Sequence, residues 1–163
     1  MAKKKVIVTN AMRILDKAKI KYETMEYEHE GEIGADFGME IAKKTGVNPK
    51  QSFKTLVLKG DKKGIMVACV PVDGEIDLKK MAMVSGDKKV EMIHVKDLLN
   101  LTGYIRGGVS PVGMKKNYPT YIDKSCLLYG DIAISAGVCG CSLKLSPVDL
   151  IKMVNAVAED IKK

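Results

Sequence analysis

Phe53-Lys54-Thr55-Leu56-Val57-Leu58-Lys59, Gly60-Asp61-Lys62-Lys63-Gly64 and Ile65-Met66-Val67-Ala68-Cys69-Val70-Pro71 follow one another without a break. Two β-branched, apolar runs separated by five residues bounded by glycines read as a β-hairpin. The second arm is apolar at nearly every position, so it is expected in the centre of a sheet with both faces covered.

Outward from this hairpin, helical and strand signals are interspersed. Thr9 or Asn10 can cap a first helix with Met12, Ile14, Leu15 and Ala18 on one face, ending near Lys19. Residues 22–27 read as a strand and 35–45 as a second helix, closed by Gly46 and Asn48-Pro49. Asp77 caps a short helix through Met83; residues 89–93 read as a strand and 95–101 as a short helix. Residues 118–122, 129–135 and 139–145 complete the strands, with Ser135-Ala136-Gly137 as a turn between two of them. Ser146, Pro147 and Asp149 mark the start of a last helix, with Leu150, Val154, Val157 and Ile161 as its buried stripe. The pattern predicts an α/β chain with a mixed, mostly antiparallel sheet of about seven strands surrounded by helices. A partly closed barrel would protect so many short edges. No linker, repeat or low-complexity tract interrupts it, so residues 1–163 are expected to form one domain.

Composition narrows the function classes. Hydrophobic residues make up 46% and charged residues 29%, as in ordinary globular proteins. With two Phe, six Tyr and no Trp, the core must be mostly aliphatic, and extended base-stacking platforms are disfavoured. The net charge of +7 suits a polyanionic partner, or simply a lysine-rich solvated surface. Met-Ala-Lys-Lys-Lys is followed by only three apolar residues, too few for a signal-peptide core, and no run reaches membrane-spanning length. A cytosolic protein without a membrane partner is expected. Cys69, Cys126, Cys139 and Cys141 lack zinc-site spacings, and a structural or incidental use is expected ahead of a metal or redox one. Cys139 and Cys141 are expected in one alternating strand, facing the same side.

Thr102-Gly103-Tyr104-Ile105-Arg106-Gly107-Gly108-Val109-Ser110-Pro111-Val112-Gly113 holds four glycines in twelve positions, as a plain turn or a shaped backbone surface would. It is not a nucleophile elbow, because Val112 replaces the second glycine and Pro111 has no N–H to offer. Nor is it a nucleotide phosphate loop: Met114 stands where the lysine belongs. Lys54, at the start of the most apolar hairpin, must either reach solvent or point into a cleft. His29, among Glu26, Glu28, Glu30 and Glu32, is easily held protonated and suits a surface position better than a general base.

Phe53-Lys54-Thr55-Leu56, Asp77-Leu78-Lys79-Lys80, Lys88-Lys89-Val90-Glu91-Met92, Thr102-Gly103-Tyr104 and Gly107–Gly113 occur in this order. Together they resemble the YbaK/EbsC family, whose best-known members are Cys-tRNA(Pro) deacylases, from about Ala11 to Ile161. The resemblance implies a small trans-editing enzyme, related to the editing domain of bacterial prolyl-tRNA synthetases, that removes a mischarged amino acid from the 3′ end of tRNA. It implies no cofactor or metal, and a prolyl-tRNA synthetase partner. Lys54 matches the family's functional lysine and Thr55 follows it; Tyr27 and Phe37 match the aromatic wall of the pocket. Gly107, Gly108 and Ser110 match the loop beside the ester, where backbone N–H groups would hold the oxyanion, and Ser135 matches a serine at the rim. Ser142 stands where those deacylases carry an aspartate, which bears on recognition of the substrate's amino group. The resemblance also implies that the substrate's own thiol attacks its ester. The alternatives are an editing hydrolase for alanine or serine, or a non-catalytic module that binds tRNA or a synthetase.

Overall fold

The computed structural model describes residues 7–163; the basic start at residues 1–5 lies outside them. Helix α1 (Asn10–Lys17) starts at Thr9, whose side chain accepts the Met12 N–H. Its buried face is Ala11, Met12 and Leu15, with Ala18 left exposed. Strand β1 (Tyr22–Glu26) follows, then a loop and helix α2 (Phe37–Thr45), closed by Gly46 in a left-handed conformation.

The hairpin forms as read: β2 (Phe53–Gly60) pairs with β3 (Gly64–Pro71), Phe53 opposite Pro71 and Gly60 opposite Gly64. Met66 to Pro71 are all buried, because β3 lies between β2 and β5. Helix α3 (Leu78–Ser85) is capped by Asp77, which accepts the N–H groups of Lys79 and Lys80. Strand β4 (Val90–Met92), a 3-10 turn (Val95–Asp97) and helix α4 (Leu98–Thr102) lead into the glycine-rich loop.

Beyond the loop come β5 (Thr120–Asp123), a 3-10 turn (Lys124–Leu128), β6 (Ile132–Val138), β7 (Cys141–Leu145), α5 (Pro147–Val154) and β8 (Val157–Glu159). Two sheets result instead of one: β1-β7-β6, and β4-β2-β3-β5-β8. The second is mixed, because β5 runs parallel to both β3 and β8. A parallel bridge from Ser52 to Ala133, with the Ala133 N–H donated to Gln51 O at 2.9 Å, stitches β6 to the approach of β2. Among the described residues the strand pairing closes neither sheet into a barrel. One aliphatic cluster, including Leu15, Ile122, Ile134, Leu143 and Leu150, draws on residues of both sheets; Leu58, Met66, Val70, Met81 and Ile161 form another on the second.

Three local expectations are corrected. The last helix stops at Val154, because Asn155 takes a left-handed conformation (φ 52°) and Ala156 N–H turns back to Ile151 O. Val157, 47% exposed, and fully buried Ile161 are therefore not on a helical stripe. Asp123 accepts the Ile161 N–H at 3.1 Å, while Ile161 O accepts the Asp77 N–H, and the chain end joins the second sheet. Strand β6 begins at Ile132, after Asp123 caps the 3-10 turn through the Ser125 N–H, and continues past Ser135. Ala136-Gly137 is a bulge within it, not a turn, and Cys139-Gly140 makes the turn into β7, so Cys139 lies outside the strand.

A cation-lined cleft between the two sheets

A cleft of about 410 Å³ lies where the two sheets meet. Its floor comes from Ser52, from Phe53 to Val57 on β2, and from Ile134, Ser135 and Ser142 on β6 and β7. One wall is Ile33, Gly34 and Ala35 with the first two turns of α2; the other is Met92, Ile93, Val95 and Leu98. Arg106, Gly107 and Val109 bring the glycine-rich loop to its edge. A larger hollow of about 700 Å³ behind α2 is lined by none of the candidate site residues.

Lys54, opposite Val70 in the hairpin register, lines the cleft, and its side chain has no ion pair or hydrogen bond among the described residues. Thr55 beside it faces Cys69 across the strands, with Oγ1 3.8 Å from Sγ. Burial pushes the Cys69 thiol up to about 12 and Cys126 up to about 11, and also raises Cys141. Protonated, buried thiols are poor nucleophiles and poor metal ligands. No group of three metal-capable side chains forms among the described residues.

The glycine loop is held by its own side chains. Tyr104 OH donates to Val112 O at 2.5 Å, and Thr102 Oγ1 accepts the Tyr104 N–H at 3.0 Å. Ser110 is fully buried and accepts the Val112 N–H at 3.2 Å, so it braces the turn around Pro111 and does not reach the cleft. Gly107 sits at φ +89° with Ile33 and Phe37 against its Cα, where even a methyl group would lie 3.0 Å from Ile33. Gly108 meets the backbone of Val138 and Cys139 at a similar distance and spends its N–H on Ile105 O at 3.0 Å. Among the described residues no acceptor takes the Gly107 or Val109 N–H.

Phe37 lines the cleft, whereas Tyr27 packs edge-on behind it, ring centroids 6.3 Å apart. Burial pushes the Tyr27 hydroxyl up to about 12. His29 proves not to be a surface residue: its side chain is 7% exposed, 4.7 Å from the Phe37 ring. Its ring nitrogens lie 3.3 Å from Glu40 Oε1 and from Glu32 O. Lys44, bonded to Glu28 O and Glu40, completes the bracket that holds the loop before α2 against that helix.

Arg106 is the lining residue that sequence reading passed over. Only its place between the glycines could have suggested it. With Lys54 it makes two cations in a cleft whose lining includes no carboxylate and no histidine. The lining also offers the hydroxyls of Ser52, Thr55, Ser135 and Ser142. Such a set can bind phosphate, orient a small polar group and stabilise a developing oxyanion; it contains no evident proton acceptor.

The fold and cleft define a class, and the comparisons with known proteins agree. Residues 36–153 match the aminoacyl-tRNA editing domain, and the chain belongs to that family. It is thus an editing deacylase acting on aminoacyl-tRNA. Among its relatives, the Enterococcus faecalis protein named "Putative Cys-tRNA(Pro)/Cys-tRNA(Cys) deacylase EbsC" is 44% identical over 99% of this chain and 98% of its own length. Bacillus subtilis YwhH is 26% identical over 68% of this chain and 70% of its own. In fold, a solved structure titled as a "putative trans-editing enzyme for prolyl tRNA synthetase" superposes with a TM-score of 0.78 at 23% identity, covering 96% and 99% of the two chains. No helix among the described residues is long and apolar enough to cross a membrane.

Proposed function

We propose that this chain hydrolyses Cys-tRNA(Pro), using the thiol of the mischarged cysteine as the nucleophile. The carrying observation is the make-up of the cleft: cations, hydroxyls and free backbone amides, with no carboxylate or imidazole to activate water. The 44% identical EbsC supports cysteine as the amino acid removed. In this route the sulfur bonds to the carbonyl carbon, the ester C–O bond breaks, and the ribose oxygen leaves with the thiol's proton. Water then opens the resulting thiolactone to free cysteine.

The protein's contribution is position and charge. An oriented intramolecular nucleophile is worth roughly 7–11 kcal/mol of the barrier. The unclaimed Gly107 and Val109 amides are the oxyanion donors, each worth about 3–4 kcal/mol. Lys54 anchors the terminal phosphate or the ester oxygen, and Arg106 supplies a second, forked contact to phosphate. Phe37 walls the pocket, with Tyr27 behind it, while Thr55, Ser135 and Ser142 contact the aminoacyl group. The whole chain acts as one domain, and a prolyl-tRNA synthetase partner selects the tRNA.

Deacylation of Cys-, Ala- and Ser-tRNA(Pro) by the wild type, Lys54→Ala and Arg106→Ala tests this. Only the cysteine ester should be lost. Lys54→Ala should slow that loss about 10- to 100-fold, in line with a charged hydrogen bond of roughly 1.5–3 kcal/mol. Arg106→Ala should mainly raise KM. Rapid cleavage of the alanine ester would replace the thiol with an attacking water. Ser142, which supplies a hydroxyl where an aspartate was expected, favours as second reading an editing hydrolase for alanine or serine.

A further inference from the structure

Two aspartates organise the end of the central hairpin. Asp87 Oδ1 accepts the backbone N–H groups of Lys62 and Lys63 at 2.8 and 2.7 Å, and its Oδ2 accepts Ser85 Oγ at 2.6 Å. Reciprocally, Asp61 Oδ1 accepts the N–H groups of Lys88 and Lys89 at 2.9 and 3.2 Å, while Asp61 N–H donates to Lys89 O. Gly60 makes room for this, since a methyl group there would lie 2.3–2.6 Å from the Asp87 carboxylate. Two Lys-Lys pairs, from segments about 25 residues apart, are thus fixed side by side.

The charges of this knot are divided by direction. The Lys89 amide, helped by that of Lys88, holds the Asp61 carboxyl below its usual range. Burial opposes ionisation of Asp87, but its bonds from Ser85, Lys63 and Lys62 outweigh it. Both carboxylates are committed to backbone amides. The four lysine side chains, in contrast, are exposed and form no ion pair among the described residues. Four lysines against two carboxylates leave the knot with a surplus of positive charge at its surface, which suits a partner that brings negative charge.

The patch also adjoins the cleft. Lys89 precedes β4, and Met92 at the end of that strand lines the cleft, about 10 Å away at strand rise. A nucleic acid whose 3′ end reaches Lys54 must carry its flanking phosphates out over a rim. We propose that Lys62, Lys63, Lys88 and Lys89 form a docking surface for the phosphate backbone of double-stranded RNA next to the aminoacylated end, the acceptor stem of the tRNA. This rests on the editing reading for its orientation. Duplex RNA is gripped largely by shape and phosphate contacts, which a rigid cluster of point charges fits.

The test measures binding of uncharged tRNA, and of an acceptor-stem duplex lacking its single-stranded 3′ end, between 50 and 300 mM KCl. The proteins are wild type, Lys62→Gln/Lys63→Gln, Lys88→Gln/Lys89→Gln, the fourfold variant, and a control, Lys17→Gln/Lys152→Gln, altered elsewhere on the surface. The fourfold variant should lose at least tenfold in affinity for both RNAs. Its slope of log K against log salt should flatten by about 3.6, or about 0.9 for each of the four lost phosphate contacts. Each pair should fall between, and the control should stay near wild type. Arginine at the four positions should restore binding, which separates charge from folding. Failure of the wild type to bind the duplex, or equal losses in control and patch variants, would overturn the proposal. If the wild type binds RNA as described but cleaves no ester, the editing reading fails and the docking surface stands.

Discussion

Ser135 and Ser142 are direct cross-strand partners between β6 and β7, and both line the cleft that holds Lys54. Ser135 Oγ also accepts the Gly137 N–H at 3.1 Å, so the bulge fixes one hydroxyl of the pair. Hydroxyls can bind an ammonium group but cannot neutralise it.

A free α-amino group therefore gains little here. Wild type should cleave N-acetyl-Cys-tRNA(Pro) within about threefold of the Cys-tRNA(Pro) rate. Ser142→Asp should introduce a preference of about 10- to 100-fold for the free amine, the range of a charged hydrogen bond. Strong discrimination by the wild type would mean that another group binds the amine.

Within the glycine loop, Gly108 is seated on the backbone of Val138 and Cys139, not on side chains that can turn aside. In Gly108→Ala the new methyl would lie 2.9 Å from Val138 Cα and 3.0 Å from Cys139 N. Overpacking of this kind costs about 1–3 kcal/mol, and the loop should shift and carry the Gly107 amide with it. A fall in deacylation of more than tenfold with a lowered Tm is expected. Gly130→Ala, with nothing within 4 Å of the added carbon, is the matched control and should be near neutral.

Alkaline pH should loosen the fold through its thiols. Cys69 ionises near 9 when unfolded and is pushed up to about 12 by burial in the native state. The unfolded chain thus gives up its proton first, so the stability Cys69 contributes is complete below pH 9 and is lost as pH rises toward 12. The loss amounts to about 4 kcal/mol at the upper end. Urea midpoints at pH 7.5 and 10.5 should diverge less in Cys69→Ala than in wild type, although that variant starts lower. In the native protein, partly exposed Cys139 should react with a thiol reagent well before buried Cys69, Cys126 and Cys141.

What sequence reading recovers depends on whether the signal is local. The central hairpin, the Asp77 and Ser146 caps and the Gly46 stop depend on neighbours within a few residues, and all form as expected. The spacing of Leu150, Val154, Val157 and Ile161 continues a helical period past Asn155. Nothing local reveals that Asp123, 38 residues away, will claim the Ile161 N–H for a sheet. Small residues at 135–137 look alike as a turn and as a bulge. In the site, Lys54 stood out as a charge inside an apolar run. Arg106, one of 27 basic residues, is distinguished only once the loop folds against Ile33 and Phe37.

The cleft's two cations also bear on how a turnover ends. Attack by water on an ester leaves a carboxylate, and a carboxylate formed between Lys54 and Arg106 would be held by the charges that received the substrate. A thiolactone carries no such charge. In the proposed thiol route it would depart without an ionic contact to break and acquire its carboxylate in bulk solvent, freeing the cleft before the product becomes an anion able to occupy it.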